Sequence, residues 1–309
     1  MELNRFPFAH TFSIVARDPE TGGLGVAVQS HWFSTGSLVT WAEAGVGAIA
    51  TQSMVEVSYG PLGLDSLRSG RSATETLEQL LAEDERRDLR QVAMIDNNGQ
   101  VATHTGKRCI ANAGHVTGEG FSTQANMMLT STVWPAMAEA FCISQGPLED
   151  RLLLALEAAQ NAGGDIRGQQ SAAILVVEGK STGKRWEGIR VDLRVEDHPA
   201  PIDELRRLLN VQKAYRQMNS GDDLLGKGLV PEALEAYRHA AEMLPGQIEL
   251  PFWQAVTLVD LGQLDEALLI FADIFRTDPN WAELLRRLPA AGLFKDDAIV
   301  LDRILRLVK

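Results

Sequence analysis

The chain has 309 residues, of which 45% are hydrophobic and 23% are charged, with a formal net charge of −12. This is an ordinary globular composition, and the length exceeds that of a usual single domain, so we expect two domains. Both parts of the chain are mildly acidic and neither carries a basic run, which argues against nucleic acid and an anionic membrane surface as partners.

The predicted elements begin with a β-hairpin. In AHTFSIVARDPETGGLGVAVQS, strands over 11–18 and 24–30 flank a turn rich in Asp, Pro and Gly. The nearly all-apolar run VGAIATQS, at 46–53, predicts a strand buried on both faces. Leucine spacing in the following segment then predicts two helices that are separated at Gly70. A second hairpin is predicted around DNNG at 96–99.

The elements that follow complete the first domain. After a Gly-rich loop, we expect helices around 132–144 and 148–162 and then strands over 171–178 and 189–197. The order of strands, helices, strands, helices and strands indicates antiparallel sheets packed together with helices outside. The sequence therefore predicts an α+β fold, a four-layer α-β-β-α sandwich, over residues 1–198.

A second domain is predicted over residues 203–309, after the proline-containing linker DHPAPID. It contains an internal repeat, in which GLVPEALEAYRHAAEMLP at 228–245 aligns with GQLDEALLIFADIFRTDP at an offset of 34 residues. That period, with small, aromatic and proline positions, is typical of tetratricopeptide repeats. We therefore expect an all-α helical-repeat domain, capped by flanking helices at 203–218 and 281–307.

The remaining sequence signals concern location, redox state and cofactors. No apolar run reaches the about 18 residues of a membrane span, and MELNRFPFAH does not resemble a signal peptide, so we expect a cytoplasmic protein.

Cys109 and Cys142 match no metal spacing, and two buried thiols are expected, with one disulfide as the alternative. The glycine pairs lack the dinucleotide fingerprint and the histidines show no ligand spacing. We expect no cofactor and no metal, with a metal site built from distant histidines left open.

Polar side chains gather at the ends of the apolar strands. Taken singly, these residues are typical of turns and caps. Taken together, their amide and hydroxyl groups would form a cleft that binds a polar ligand or stabilises an oxyanion. The candidate substrate-binding residues are Ser30, His31, Gln52, Gln124, Asn126 and Asp165.

Thr11, at the start of the first strand, has two interpretations. Threonine is a good strand former and often begins a strand. A threonine hydroxyl becomes a useful nucleophile when the residue is the first of its chain, because its own α-amine then accepts the proton. The pKa of such an amine, about 7.7–8.0, suits general-base catalysis near neutral pH.

Four stretches resemble a known family: HTFSIVARDPETGGLGVAVQS, AGVGAIATQS, YGPLGLDSLRSG and NAGGDIRGQQSAAILVV. They look like a family of unknown function grouped with the Ntn (N-terminal nucleophile) hydrolases, whose members commonly start near Thr-Phe-Ser-Ile. Some are followed by a small tetratricopeptide-like domain described as peptidoglycan-binding. The resemblance covers nearly the whole chain and implies an Ntn-hydrolase-like sandwich and hydrolysis of an amide bond, with Thr11 in the nucleophile's place.

The resemblance has one departure. Many relatives carry this threonine directly after the initiator Met, whereas ten residues precede Thr11 here. Catalysis through Thr11 would require cleavage of the His10–Thr11 bond. We therefore expect an Ntn-type amidohydrolase for a small amide or peptide-like substrate. The alternative is a non-catalytic ligand-binding sandwich whose helical domain docks a protein or a peptidoglycan fragment. Pairing into a homodimer is left open.

Overall fold

The computed structural model describes residues 8–184 and 186–308, so most of the MELNRFPFAH segment lies outside the described residues. The strands are β1 (Phe8–Ala9), β2 (Thr11–Arg17), β3 (Leu24–Ser30), β4 (Thr40–Glu43), β5 (Gly47–Met54), β6 (Arg90–Asp96), β7 (Val101–Thr105), β8 (Gly114–Gly118), β9 (Phe121–Ala125), β10 (Ser171–Val177) and β11 (Ile189–Val195). The helices are α1 (Gly36–Val39), α2 (Tyr59–Arg68), α3 (Ala73–Glu83), α4 (Val133–Ile143), α5 (Leu148–Asn161), α6 (Pro201–Gly226), α7 (Val230–Met243), α8 (Glu249–Asp260), α9 (Leu264–Thr277), α10 (Asn280–Arg287) and α11 (Ala298–Leu305).

The chain divides into two compact units, the first ending at Arg207 and the second beginning at Leu208. The first unit contains two sheets whose neighbouring strands are all antiparallel. One sheet has the order β1-β5-β6-β7, with β4 also paired to β5, and the other has the order β11-β10-β3-β2-β9-β8. The predicted mixed α/β fold with antiparallel sheets and a C-terminal helical region is confirmed.

The central strands of each sheet are buried on both faces, to which alternate side chains of a strand point in turn. Ala48 and Ala50 of β5 lie in the core between the sheets, together with Val15 and Val26 of the second sheet. Ile49 of the same strand packs outward on α2 and α3. Helices α4 and α5 cover the outer face of the second sheet. The near-continuous apolar runs of the central strands follow from this double burial.

The segment before Thr11 passes from one sheet to the other. Ala9 pairs with Ser53 in the first sheet, whereas Thr11 pairs with Ser30 in the second. His10 is therefore the single residue that connects the two sheets at this end of the sandwich. The arrangement places the His10–Thr11 bond between the sheets, where side chains from both can reach it.

The second unit is helical and repeats its buried positions. Helices α7 and α9 each begin two residues after a glycine with positive φ, Gly228 at 77° and Gly262 at 79°. One turn into each helix a buried alanine allows close packing, and an aromatic side chain follows four residues later. These four buried residues are Ala233, Tyr237, Ala267 and Phe271. The 34-residue offset thus corresponds to equivalent helices with equivalent buried faces.

Three sequence-based predictions are wrong in detail. The expected Gly-rich loop before α4 contains strands β8 and β9, because Gly120, with φ of 71°, closes a tight hairpin there. Part of the predicted linker is helical, since α6 begins at Pro201, and proline is favourable in the first turn of a helix. The predicted helix over 281–307 is two helices, which Pro289 and the left-handed Gly292 separate.

The cysteine prediction also needs correction. Both residues are free thiols, but only Cys109 is partly buried and Cys142 is exposed. The buried face of α4 consists of Val133, Met137, Ala138 and Phe141, and Cys142 lies just outside it. Within the described residues, no helix combines the length and the apolar character needed to cross a lipid bilayer.

Candidate functional site

Thr11 lies fully buried at the start of β2. Its side chain points between the sheets, because Val15, four residues along the same strand, belongs to the core between them. The Thr11 hydroxyl donates a hydrogen bond to the carbonyl oxygen of Ala9 at 2.6 Å. In the intact chain the hydroxyl is therefore engaged by the backbone two residues before it.

The carbonyl oxygen of His10 accepts two hydrogen bonds from side chains. The Ser30 hydroxyl donates at 2.7 Å and Nη2 of Arg167 donates at 2.9 Å. This carbonyl belongs to the peptide bond that joins His10 to Thr11. A hydroxyl and a cationic guanidinium directed at one carbonyl oxygen withdraw electron density from its carbon and would stabilise negative charge on the oxygen.

Asp165 holds Arg167 in place. Its carboxylate is fully buried and accepts from Nη2 of Arg167 at 2.6 Å and from Nε at 3.0 Å. The backbone N–H groups of Arg167 and His31 donate to the same carboxylate. These four donors compensate the buried charge and tie the Gly-rich loop after α5 to the end of β3.

Beside Thr11, a network of fully buried amide side chains joins the two sheets. Gln91 Oε1 accepts from Gln52 Nε2 at 2.7 Å and from Asn126 Nδ2 at 2.8 Å. Ser13 donates to Gln52 Oε1 at 2.6 Å and accepts from Gln124. The network binds the Thr11 backbone as well, since the Thr11 carbonyl accepts from Gln52 Nε2 and from the backbone N–H of Asn126.

The network determines which nitrogen of His10 carries the proton. Gln91 Nε2 donates to the carbonyl oxygens of Gly114 and Ala125, which can only accept, so the Gln91 amide has one possible orientation. Its oxygen then faces Asn126 Nδ2, which leaves Asn126 Oδ1 facing His10 Nδ1 at 2.7 Å. His10 therefore donates from Nδ1, and Nε2 is the acceptor nitrogen of the neutral ring.

Burial lowers the pKa of His10, with a smaller contribution from the nearby positive charge of Arg167, and the Asn126 hydrogen bond and Asp165 oppose this shift. A ring that is neutral in the folded state and protonated in the unfolded state destabilises the fold at low pH. We expect stability to be complete above the ordinary histidine pKa of about 6.5 and to be lost progressively as the pH falls below it.

Urea unfolding of Thr11→Ala, which cannot cleave the chain and so keeps His10, and of Thr11→Ala with His10→Gln, from about pH 7.5 to about pH 5.5, measures this effect. The protein with His10 should lose more stability than the one with glutamine. His115, whose pKa is also lowered by burial, is present in both proteins and cancels in the comparison. Equal losses in the two proteins would contradict a neutral, buried His10.

The structure brings most of the predicted site residues together. Ser30 binds the His10 carbonyl directly, and Asp165 binds Arg167, which donates to the same carbonyl. Gln52, through its side chain, and Asn126, through its backbone N–H, bind the Thr11 carbonyl. Gln124 is one step further away, behind Ser13. His31 contributes its backbone N–H to Asp165, and its ring lies beside Gly168. That these residues bind substrate stays a prediction.

The predicted substrate-binding residues do not include Arg167, Gln91 or Ser13, although Arg167 is one of the polar residues near the predicted strand ends. Arg167 follows Asp165 by two residues in a Gly-rich loop, a spacing that allows the carboxylate to accept from both the backbone and the guanidinium. That spacing could have identified Arg167 from the sequence. Gln91 has no such signal, because its partners are distant in sequence, in β5, β7 and the β9 region. Among residues 8–184 and 186–308, no three His, Cys, Asp or Glu side chains are grouped as metal ligands would be.

Comparison with known proteins identifies the family. Residues 11–205 match the model of the "Family of unknown function (DUF1028)". The crystal structure of protein SPO2555 from Silicibacter pomeroyi, assigned to that family, is 34% identical, with a TM-score of 0.59 over 67% of this chain and 89% of that chain. Anbu (ancestral beta-subunit) from Yersinia bercovieri is 13% identical over 72% of this chain and 96% of that one, with a TM-score of 0.31. No curated protein matches. The chain belongs to the family of unknown function DUF1028.

Proposed function

We propose that the protein is an Ntn-type amidohydrolase that generates its own nucleophile by cleaving the His10–Thr11 bond. The observation that carries this proposal is the pair of hydrogen bonds from Ser30 and Arg167 to the His10 carbonyl oxygen. A carbonyl held by these two donors is prepared for attack on its carbon. The proposal includes an Ntn-type assignment for the two-sheet unit, whose domain we place at 1–198, and a tetratricopeptide-like assignment for 203–309.

The cleavage step is an acyl shift followed by hydrolysis. Thr11 Oγ1 attacks the His10 carbonyl carbon, the bond from that carbon to the Thr11 nitrogen breaks, and the hydroxyl proton passes to the nitrogen. The resulting ester between His10 and the Thr11 oxygen is hydrolysed by water, which releases residues 1–10. The products are a carboxylate at His10 and a free α-amine and hydroxyl on Thr11. Ser30 and Arg167 stabilise the oxyanion that forms in the first step.

The released Thr11 would then act on an external amide. The hydroxyl attacks the substrate carbonyl carbon, the α-amine accepts the proton and passes it to the leaving nitrogen, and water hydrolyses the acyl-enzyme. Thr11 keeps its position after cleavage because β2 pairs with β3 and β9 on either side, and its carbonyl is held by Gln52 and Asn126. The nucleophile thus remains on a rigid central strand.

Intact mass spectrometry of the purified full-length protein tests the proposal. During incubation near neutral pH, we expect the species that begins at Met1 to be replaced by one that begins at Thr11. The processed protein should release ammonia or an amine from simple amides. A chain that stays intact at His10–Thr11 throughout prolonged incubation would overturn the proposed function.

One observation favours a second function, a non-catalytic ligand-binding sandwich. In the intact chain Thr11 is fully buried and its hydroxyl is engaged with the Ala9 carbonyl. A protein in which the His10–Thr11 peptide bond stayed intact would have no exposed nucleophile. The polar groups at its strand ends would bind a ligand without reacting with it. A ligand that raises the melting temperature of the uncleaved protein, and that is recovered unchanged after long incubation, would support this alternative.

A further inference from the structure

The guanidinium of Arg167 has two donor edges, and only one of them is occupied by Asp165. The Nε and Nη2 atoms donate to the two oxygens of that carboxylate. Nη2 also donates to the His10 carbonyl oxygen. Nη1, the other atom of that second edge, donates to no side chain or backbone group among the described residues, and 28% of the Arg167 side chain is exposed. The second edge, Nη1 and Nη2, is therefore directed toward His10.

Cleavage at His10–Thr11 would take the His10 carbonyl away from this edge. Thr11 stays at the start of β2, and Arg167 stays on its loop because the buried Asp165 orients it. The processed protein would then present two parallel N–H groups beside the new nucleophile, on the side that the acyl group of His10 now occupies. The acyl group of a substrate takes this side as well, because both acyl groups bond to the same Thr11 oxygen. With the scissile carbonyl oxygen of the substrate on the Ser30 hydroxyl, the two N–H groups of Arg167 are left for a second acceptor on the acyl chain.

We propose that the Nη1 and Nη2 edge of Arg167 binds a carboxylate on the acyl part of the substrate, a short spacer away from the amide that is cleaved. This inference rests on the proposed function and names its substrate class, the monoamides of small dicarboxylic acids. A planar carboxylate matches the guanidinium fork with two hydrogen bonds, whereas a carboxamide in the same place offers one acceptor oxygen and no charge.

The negative charge of Asp165 does not prevent this binding. Its carboxylate is fully buried and already accepts from Nε and Nη2 of Arg167 and from the backbone N–H groups of Arg167 and His31. The Asp165–Arg167 pair is neutral as a whole, so a substrate carboxylate adds one negative charge, which faces the guanidinium directly and not the Asp165 carboxylate. A dianionic group such as phosphate would leave a second charge without a partner.

Matched substrates test the inference on the wild-type protein after processing. Succinamate and glutaramate carry the carboxylate, and succinamide and glutaramide replace it with a neutral amide. Ammonia release gives kcat/KM for each compound. We expect each carboxylate compound to exceed its neutral partner by about a hundredfold, since a site built to bind a polar group discriminates strongly against analogues that lack it.

Two variants assign the preference to Arg167. Arg167→Lys keeps a positive donor for the His10 carbonyl but removes the fork, and we expect the carboxylate preference to fall below about tenfold. Ser30→Ala is the matched control, because Ser30 donates to the same carbonyl oxygen but has no fork. It should slow processing, as Arg167→Lys does, while the ratio between the paired substrates stays near its wild-type value. Ratios are measured on the processed fraction of each protein, which intact mass identifies.

A readout that needs no variant uses phenylglyoxal, which modifies arginine. In processed wild-type protein, peptide mass spectrometry should show that succinamate slows modification of Arg167 more than succinamide does. Because this measurement reports binding and not turnover, it also tests the inference if the processed protein hydrolyses none of the four compounds. Equal protection by the two compounds would overturn the inference.

The outcomes separate the two proposals. Processed protein with equal kcat/KM for the paired substrates, or with a preference that survives in Arg167→Lys, overturns the carboxylate site and leaves the amidohydrolase proposal standing. A wild-type chain that never begins at Thr11 overturns the proposed function and this inference with it. A large preference that is lost in Arg167→Lys and kept in Ser30→Ala supports the inference.

Discussion

Replacement of Thr11 by alanine is expected to leave the chain at full length and to abolish its amide hydrolysis. The proposed reaction uses the Thr11 oxygen twice, first on the His10 carbonyl and then on the substrate. Alanine has no nucleophile for either step. From the effect of removing a nucleophile in other hydrolases, we expect both rates to fall by at least about a thousandfold. Intact mass measures the first rate and ammonia release measures the second.

Thr123→Ala is the matched control for this substitution. Thr123 is also a fully buried strand threonine, and its hydroxyl donates to one backbone carbonyl, that of Trp134, as the Thr11 hydroxyl does to Ala9. The control should process and hydrolyse amides at rates near those of the wild type, with a similar small loss of stability. Thr11→Ser should keep a measurable fraction of both activities. Processing that continues in Thr11→Ala would rule out Thr11 as the nucleophile.

Replacement of Gln91 by leucine is expected to destabilise the first unit by about 3 kcal/mol. Leucine fills a similar volume but cannot accept from Gln52 and Asn126 or donate to Thr105 and the Ala125 carbonyl. Each buried polar group left without a partner costs about 1–3 kcal/mol, partly offset by the burial of an apolar side chain. Urea unfolding, followed by a signal from the first unit, gives the change in the free energy of unfolding.

Gln79→Leu provides the comparison for Gln91→Leu. Gln79 lies exposed on α3 and makes one long hydrogen bond, at 3.4 Å, to Glu83. Its replacement should change the free energy of unfolding by less than about 0.5 kcal/mol, as surface substitutions usually do. A similar effect at the two positions would mean that the buried amide network contributes nothing particular to stability.

Much of the fold was predictable from local pattern. The β2–β3 hairpin follows from two apolar strands around a turn rich in Asp, Pro and Gly, and the observed register from Thr11–Ser30 to Arg17–Leu24 is continuous. The paired helices α4 and α5 and the repeat in the second unit follow from spacing and from glycine stops. The β8–β9 hairpin was missed because β8, with the sequence GHVTG, has glycine at both ends and one apolar residue, which resembles a loop in sequence.

The candidate site was predictable in part. Strand-end polar residues such as Ser30, Gln52 and Asn126 were selected because strand ends of a sandwich meet. What their side chains bind was not predictable. Gln52 and Gln124 were expected to face a ligand, but their amide groups form hydrogen bonds inside the core. Gln52 binds Ser13 and Gln91, and Gln124 binds Ser13 and Ser122. Hydrogen-bond partners that are tens of residues apart depend on sheet order, which local spacing does not specify.

The sequence by itself determined the apolar strands, the helical repeat and the placement of Thr11 at the start of a strand, because periodicity and turn chemistry act over short distances. Only the tertiary structure decided that residues 9 and 11 belong to different sheets, and that Ser30 and Arg167 converge on the carbonyl between them. The physical reason is that burial makes polar groups from distant segments satisfy one another. Their convergence depends on how the sheets pack.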